Sequence, residues 1–370
     1  RIVDPRVIAS GLVRAKWISQ IDLAQKDWPD RIGRARLAGA IDMQDALKPL
    51  ETSLAGKSAQ AWLSGLEDIA EEVGYFQPLS KRHAAAFVDA GKTLLVTFET
   101  LQSIPQLSNE AHPVGFEMAR EEDWSVLSLI CNGLTWFRDP AVYRYFDRLS
   151  DDGFFDDFDQ VIFYGAGSCG YAACAYSVAA PGAKVLALSP QATLDPRVTE
   201  WDDRYRKMRR ASFNDRYGYA PDMLDAASQA TVVYDPKIEL DAMHAALFTR
   251  PNVHRLRMPH FGTRLDQQMT RLDILYPLLH EVATGADVPA RFAKIYRRRR
   301  TDRIYLRTLL GELEDAKRMG LAKSVCRFAA DALNAPRFRK RLNQIERSEA
   351  DAALAAQVPP DAPETTTPAG

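Results

Sequence analysis

The sequence predicts an α/β fold, a doubly wound, mainly parallel sheet flanked by N- and C-terminal helical regions. Three observations carry that prediction. Between Lys92 and Met258 the chain holds six short runs that are apolar, β-branched or aromatic. Helical stretches and turn signals separate these runs, the alternation that produces parallel strands covered on both faces. On either side of this span the pattern changes to Ala, Leu, Lys, Glu and Arg at helical spacing.

Residues 1–90 read as a helical N-terminal region, because Leu47, Leu50 and Leu54, then Trp62, Leu63, Leu66 and Ile69, recur at three- and four-residue steps. Such spacing lays an apolar stripe along a helix. The central domain spans 91–288, with strands expected at 94–98, 124–130, 161–164, 184–188, 231–234 and 253–258. Residues 289–350 form a basic helical region, with helices expected at 295–313 and 316–333 separated at Met319-Gly320. The tail at 351–370, rich in Pro and Thr and poor in apolar residues, is expected to be disordered.

At 370 residues the chain is long enough to bury a large core without cross-links. Its four cysteines, Cys131, Cys169, Cys174 and Cys326, form no C-x-x-C pair, which argues against a disulfide framework or a zinc ribbon. The histidines, His83 and His112 among them, lack the spacing of a metal-ligand pair, so no metal is expected. No run of about 18 apolar residues and no charged-then-apolar leader is visible, so a cytoplasmic location without a membrane span is expected. The formal net charge is −1, but residues 291–347 hold 17 Lys and Arg against 6 Asp and Glu. The run Arg297-Arg298-Arg299-Arg300, with Arg303 and Arg307, makes a protein or polyanion partner conceivable on these helices.

The most informative segment is Val161-Ile162-Phe163-Tyr164-Gly165-Ala166-Gly167-Ser168-Cys169-Gly170-Tyr171-Ala172-Ala173, a strand, a sharp turn and the start of a helix. Two chemistries use that architecture. As a dinucleotide loop, Gly165-x-Gly167-x-x-Gly170 would cradle a pyrophosphate on backbone amides. That motif calls for an acidic residue about 20 positions later, at the end of the next strand. The next strand ends in Ala187-Leu188-Ser189-Pro190, so a nucleotide-binding Rossmann-like protein is the weaker alternative. As a nucleophile elbow, the segment reads Ala166-Gly167-Ser168-Cys169-Gly170, with Ser168 exposed at the apex and the Cys169 N–H beside it.

Together with the strand order around it, this turn resembles the α/β-hydrolase superfamily over about residues 92–285, matching its third to eighth strands. The resemblance implies a triad in the chain order Ser, Asp, His. Ser168 would be the nucleophile, Asp235, directly after the strand at 231–234, the orienting acid, and His260, directly after the last strand, the base. Asp241 is the reserve acid; His244, His254 and His280 are poorer bases by position. The second oxyanion-hole amide is expected from Glu99 or Thr100, after the third strand, with Cys169 supplying the first. The family often carries its histidine in a Gly-His pair, whereas here Gly262 is followed by Thr263.

The implied function is a serine hydrolase or acyl/acetyltransferase acting through an acyl-Ser168 intermediate on an unidentified ester or acyl substrate, without a cofactor. The alternative is a non-catalytic scaffold of the same fold. An insertion at 190–230 containing Trp201-Asp202-Asp203-Arg204-Tyr205 suits a polar acyl or glycosyl substrate.

Overall fold

All six expected strands form, and two more precede them, giving an eight-stranded sheet in the computed structural model, which describes residues 47–285 and 287–355. In chain order the strands are β1 (Gly74–Pro78), β2 (His83–Val88), β3 (Thr93–Thr100), β4 (Ser125–Cys131), β5 (Gln160–Ala166), β6 (Lys184–Leu188), β7 (Gln229–Tyr234) and β8 (Val253–Arg257). Across the sheet they run β1-β2-β4-β3-β5-β6-β7-β8. Only β2 is antiparallel to its neighbours; β3 to β8 are parallel.

This order fixes where a ligand can sit. From β3 the chain steps outward to β4, then crosses back over β3 to β5 and continues the other way. The carboxyl ends of β3 and β5 therefore flank the point at which strand order reverses, where the departing loops diverge and leave a crevice. Thr100 ends one strand and Ala166 the other.

Both faces of the sheet are covered. On one, Phe98, Leu129, Phe163 and Val185 pack with Phe146 of the helix Pro140–Asp151 and Tyr176 of the helix Ser168–Tyr176. On the other, Phe76, Ala86, Val126 and Ile130 meet Trp62, Leu66 and Ile69 of the helix Ala59–Val73. That last helix is amphipathic, as its apolar stripe predicts, and Ser58 caps it by accepting the Ala61 N–H.

The N-terminal region departs from the all-helical expectation for 1–90. Residues 74–88 are β1 and β2, joined by a tight connection in which the Leu79 N–H donates to the His83 carbonyl at 2.9 Å. Ala84-Ala85-Ala86 favours helix locally, but all six residues of β2 are buried between β1 and β4. Tertiary pairing overrides propensity here. Leu47, Leu50 and Leu54 are buried as expected, but only Lys48–Glu51 is helical, as a single 3-10 turn. Residues 1–46 lie outside the described residues.

The chain divides into two compact units, residues 1–295 and 296–370. In the second, a 3-10 turn at Tyr296–Thr301 precedes helices Arg303–Asp315, Met319–Ala332 and Pro336–Ala355. Asp302 caps the first of these by accepting the Tyr305 N–H at 2.6 Å. Arg341 to Glu314 at 2.7 Å and Lys323 to Glu349 at 2.6 Å tie the helices together. Arg303, Arg307 and Arg337 line, with Phe338, a cavity of about 440 Å³. The last helix continues through Ala355, five residues into the segment expected to be disordered; the remainder of that tail lies outside the described residues. Among the described residues no helix is long and apolar enough to cross a membrane.

The junction of β5 with the helix Ser168–Tyr176 is tightly packed. All nine helix residues are buried, and Gly170, Ala172, Ala173 and Ala175 keep them small enough to lie against the strands. A Cβ on Gly165 would lie 2.2 Å from the Cys169 carbonyl oxygen, whereas one on Gly167 would meet nothing within 4 Å. Gly167 is instead constrained by its backbone, with φ 59° and ψ −120°. Gly165→Ala is therefore expected to cost more than about 3 kcal/mol through a backbone collision. Gly167→Ala should cost about 1–3 kcal/mol through dihedral strain alone. Chemical denaturation of the two variants checks the order; equal losses would contradict it.

Candidate functional site

The crevice at the ends of β3 and β5 holds a cavity of about 230 Å³. Glu99, Thr100 and Ser103 line it from the β3 side, Ala166, Gly167, Ser168 and Cys169 from the turn, and Thr263, Arg264, Leu265 and Asp266 from beyond β8. Tyr164, Ser189 and Tyr205 complete its polar wall.

The turn is sharper and one residue earlier than the elbow expected on Ser168. Its apex is Gly167, the residue between the end of β5 and the helix, held in a positive-φ conformation open to glycine. Ser168 is the first helical residue and only 7% exposed. The physical reason is the close approach at Gly165, which forces the helix to begin immediately and leaves the bend to the second glycine.

The amides of Ser168 and Cys169 belong to the first turn of the helix, where no intrahelical acceptor exists. Gly167 offers no side-chain cap, and its carbonyl accepts the Tyr171 N–H at 3.0 Å. After β3, by contrast, the amides are committed: Thr100 N–H donates to Ser103 Oγ at 3.3 Å and Leu101 N–H to the Cys131 carbonyl at 2.9 Å.

Asp235 is fully buried directly after β7, but its carboxylate is occupied by backbone. Oδ1 accepts the Lys237 N–H at 2.8 Å, and Oδ2 accepts the N–H groups of Phe261 and Gly262, each at 2.7 Å. It thus fixes the loop that carries His260, itself at φ 72°. His260 does not line the cavity; Thr263 does. The structure does not bring Ser168, Asp235 and His260 together as a hydrogen-bonded chain among the described residues.

Three imidazole–carboxylate pairs that spacing did not suggest lie elsewhere; His280 and Glu122, 3.3 Å apart, form an exposed one, and the other two have buried imidazoles. His244 is fully buried, its Nδ1 accepting the Ala192 N–H at 3.2 Å, so that Nε2–H donates to Asp202 at 3.0 Å. Asp202 is buried, which opposes ionisation, yet its bonds to His244 and Arg204 hold its carboxyl well below the usual range. Arg204 continues the chain to Asp241 at 2.6 Å, which gives that reserve acid a structural partner. The network anchors the segment between β6 and β7 and with it Tyr205, which stacks edge-on against Trp136.

The second pair is His83 and Asp139. His83 Nε2 bonds Thr135 Oγ1 at 2.9 Å, and Nδ1 lies 3.0 Å from Ser80 Oγ and 3.3 Å from Asp139. The His83 bond holds the Asp139 carboxyl down at about 2. Asp139 also caps the helix Pro140–Asp151 through the Ala141 N–H, and Thr135 accepts the Phe137 N–H at 3.1 Å. Neither Thr135 nor His83 lines the cavity, and both are buried. Residues 42 and 56 positions apart meet in these two pairs, so no local motif could have announced them.

The titratable walls of the cavity are set by burial. Burial raises Glu99 to about 7, against the opposing bonds from Thr97 Oγ1 at 2.7 Å and the Val114 N–H at 3.1 Å. Asp266 is also raised by burial. The hydrogen bond with Cys131, then burial, pushes the Cys169 thiol well above its ordinary range, so it is not a thiolate nucleophile. All four cysteines are free and buried, and among the described residues no His, Cys, Asp and Glu cluster could hold a metal ion.

Asp235→Ala would leave its backbone donors buried without an acceptor, and a loss of about 3 kcal/mol is expected in denaturant titration. A loss within experimental error would refute this structural role. Folded Glu99 keeps until pH reaches about 7 a proton that the unfolded chain releases near 4.5. Folding stability relative to Glu99→Gln should therefore fall as pH rises from 5 to 8, by about 3 kcal/mol, and stay level above. Parallel pH profiles of the two proteins would contradict it.

No family model matches the chain, and no curated protein matches it in sequence. Among solved structures, the fluorophosphonate-binding serine hydrolase F of Staphylococcus aureus matches at 13% identity, covering 52% of this chain and 91% of that one, with a TM-score of 0.35. Est1E from Butyrivibrio proteoclasticus matches at 11% identity over 54% and 95% of the two chains, TM-score 0.36. The capsule O-acetyltransferase of Neisseria meningitidis serogroup A matches at 8% identity over 53% and 92%, TM-score 0.34. The mainly parallel eight-stranded sheet with its flanking helices is an α/β-hydrolase-like architecture.

Proposed function

We propose that this chain is a non-hydrolytic protein of the α/β-hydrolase fold that binds a small molecule in the cavity over the Gly167 turn. The observation that carries this reading is the apex itself. Acyl transfer needs a nucleophile at the exposed point of the turn, and that point is a glycine. The neighbouring hydroxyl, Ser168, lies inside the first helical turn and is buried. An unassisted serine is a poor nucleophile, and Ser168 has no imidazole partner among the described residues. Thr263 faces the cavity where a base would be needed.

What the fold retains suits binding. Open amides at a helix start, buried hydroxyls and apolar walls form a preorganised cleft at the strand-order reversal, the usual location of ligands in open α/β sheets. A fluorophosphonate probe is expected to leave both the wild-type chain and Ser168→Ala unlabelled. Both should hydrolyse 4-nitrophenyl acetate at the same rate. Labelling of the wild type that disappears in Ser168→Ala would overturn the proposal and restore an acyl-Ser168 hydrolase or acyltransferase.

A further inference from the structure

We infer that the cavity over Gly167 is a site for a small carboxylate with a short apolar tail. The inference deepens the binding reading above and rests on it. Four donors converge on this cavity without acceptors. Two are the amides of Ser168 and Cys169 at the start of a nine-residue helix, whose dipole favours an anion. The other two are side chains: Tyr164, 1% exposed, and Ser189, 7% exposed, both lining the cavity and both with hydroxyls that find no hydrogen-bond partner. Two buried hydroxyls left unpaired in one cleft are costly unless a ligand receives them. Burial, with Asp266 and Glu99 near, pushes Tyr164 well above its ordinary range, so its hydroxyl stays a donor.

The space for the anion is the space a nucleophile's side chain would occupy. A Cβ on Gly167 would meet nothing within 4 Å, so the glycine apex leaves the helix start uncovered. Above it Leu107, Leu134 and Leu265 provide an apolar wall, and Arg264 stands at the rim. A cavity of about 230 Å³ is smaller than the roughly 300–1,000 Å³ of drug-sized sites, which selects a short tail. Burial holds Glu99 up at about 7, so below that pH it does not compete as an anion, and burial shifts Asp266 in the same direction.

The test is an NMR titration of the full chain at pH 6 with hexanoate, hexan-1-ol and inorganic phosphate. Saturable binding is expected for hexanoate, with shifts at the Ser168 and Cys169 amides, and none for the alcohol or for phosphate. Tyr164→Phe and Ser189→Ala each remove a hydroxyl that bonds nothing in the protein, so both should fold with unchanged or higher unfolding midpoints. Each should weaken hexanoate binding roughly tenfold, the worth of one charge-assisted hydrogen bond. Equal binding of hexan-1-ol, a preference for phosphate, unchanged affinity in both variants or no binding at all would each overturn the carboxylate site. None of these outcomes bears on labelling by fluorophosphonate, so this inference and the non-hydrolytic reading fail separately.

Discussion

The approach of β5 to the helix that follows it governs the rest of this molecule. The strand and the helix backbone come so close at Gly165 that a single methyl group would fall within bonding range of the Cys169 carbonyl. Given that contact, the chain must reverse within one residue, and Gly167 takes the required dihedrals. The helix then lies buried along its whole length, with small residues at Gly170, Ala172, Ala173 and Ala175 between the core tyrosines Tyr171 and Tyr176. Its first residues line the crevice because the sheet order places β3 and β5 side by side at the reversal. Site position, site polarity and core packing all descend from one steric constraint.

Much of the fold was legible because burial on both faces writes itself as continuous apolar runs, and β3 to β7 are such strands, whereas β8 at the sheet edge is mostly unburied and carries His254, Arg255 and Arg257. The first two strands were not legible for the opposite reason. Ala84-Ala85-Ala86 carries no β signal of its own and becomes strand only through its neighbours. The turn was legible as a turn, but its frame was not. The glycines at 165, 167 and 170 allow the elbow to be centred on either Gly167 or Ser168, and the choice depends on a backbone distance that no residue name encodes. The Ser168, Asp235 and His260 assignment followed from the later frame.

Histidine and acid serve here mainly as connectors. His244 joins Ala192 to Asp202, His83 joins Thr135 to Ser80 and Asp139, and Asp235 gathers three amides from two loops. Each spans segments distant in sequence and satisfies polar groups that burial would otherwise strand. These histidines and acids are absorbed into the architecture, while two hydroxyls of the cavity wall, those of Tyr164 and Ser189, stay unpaired and are ones that sequence motifs do not flag.

The chain of bonds from Ala192 through His244, Asp202 and Arg204 to Asp241 has a kinetic consequence. Because Tyr205 is carried by the same segment, the roof over the crevice is riveted to the helix Glu239–Ala246 at a buried ionic joint. Lifting it would expose an unpaired carboxylate and imidazole together, a barrier too high for routine breathing. Tyr205 is thereby held on the cavity wall by the same joint that satisfies His244 and Asp241.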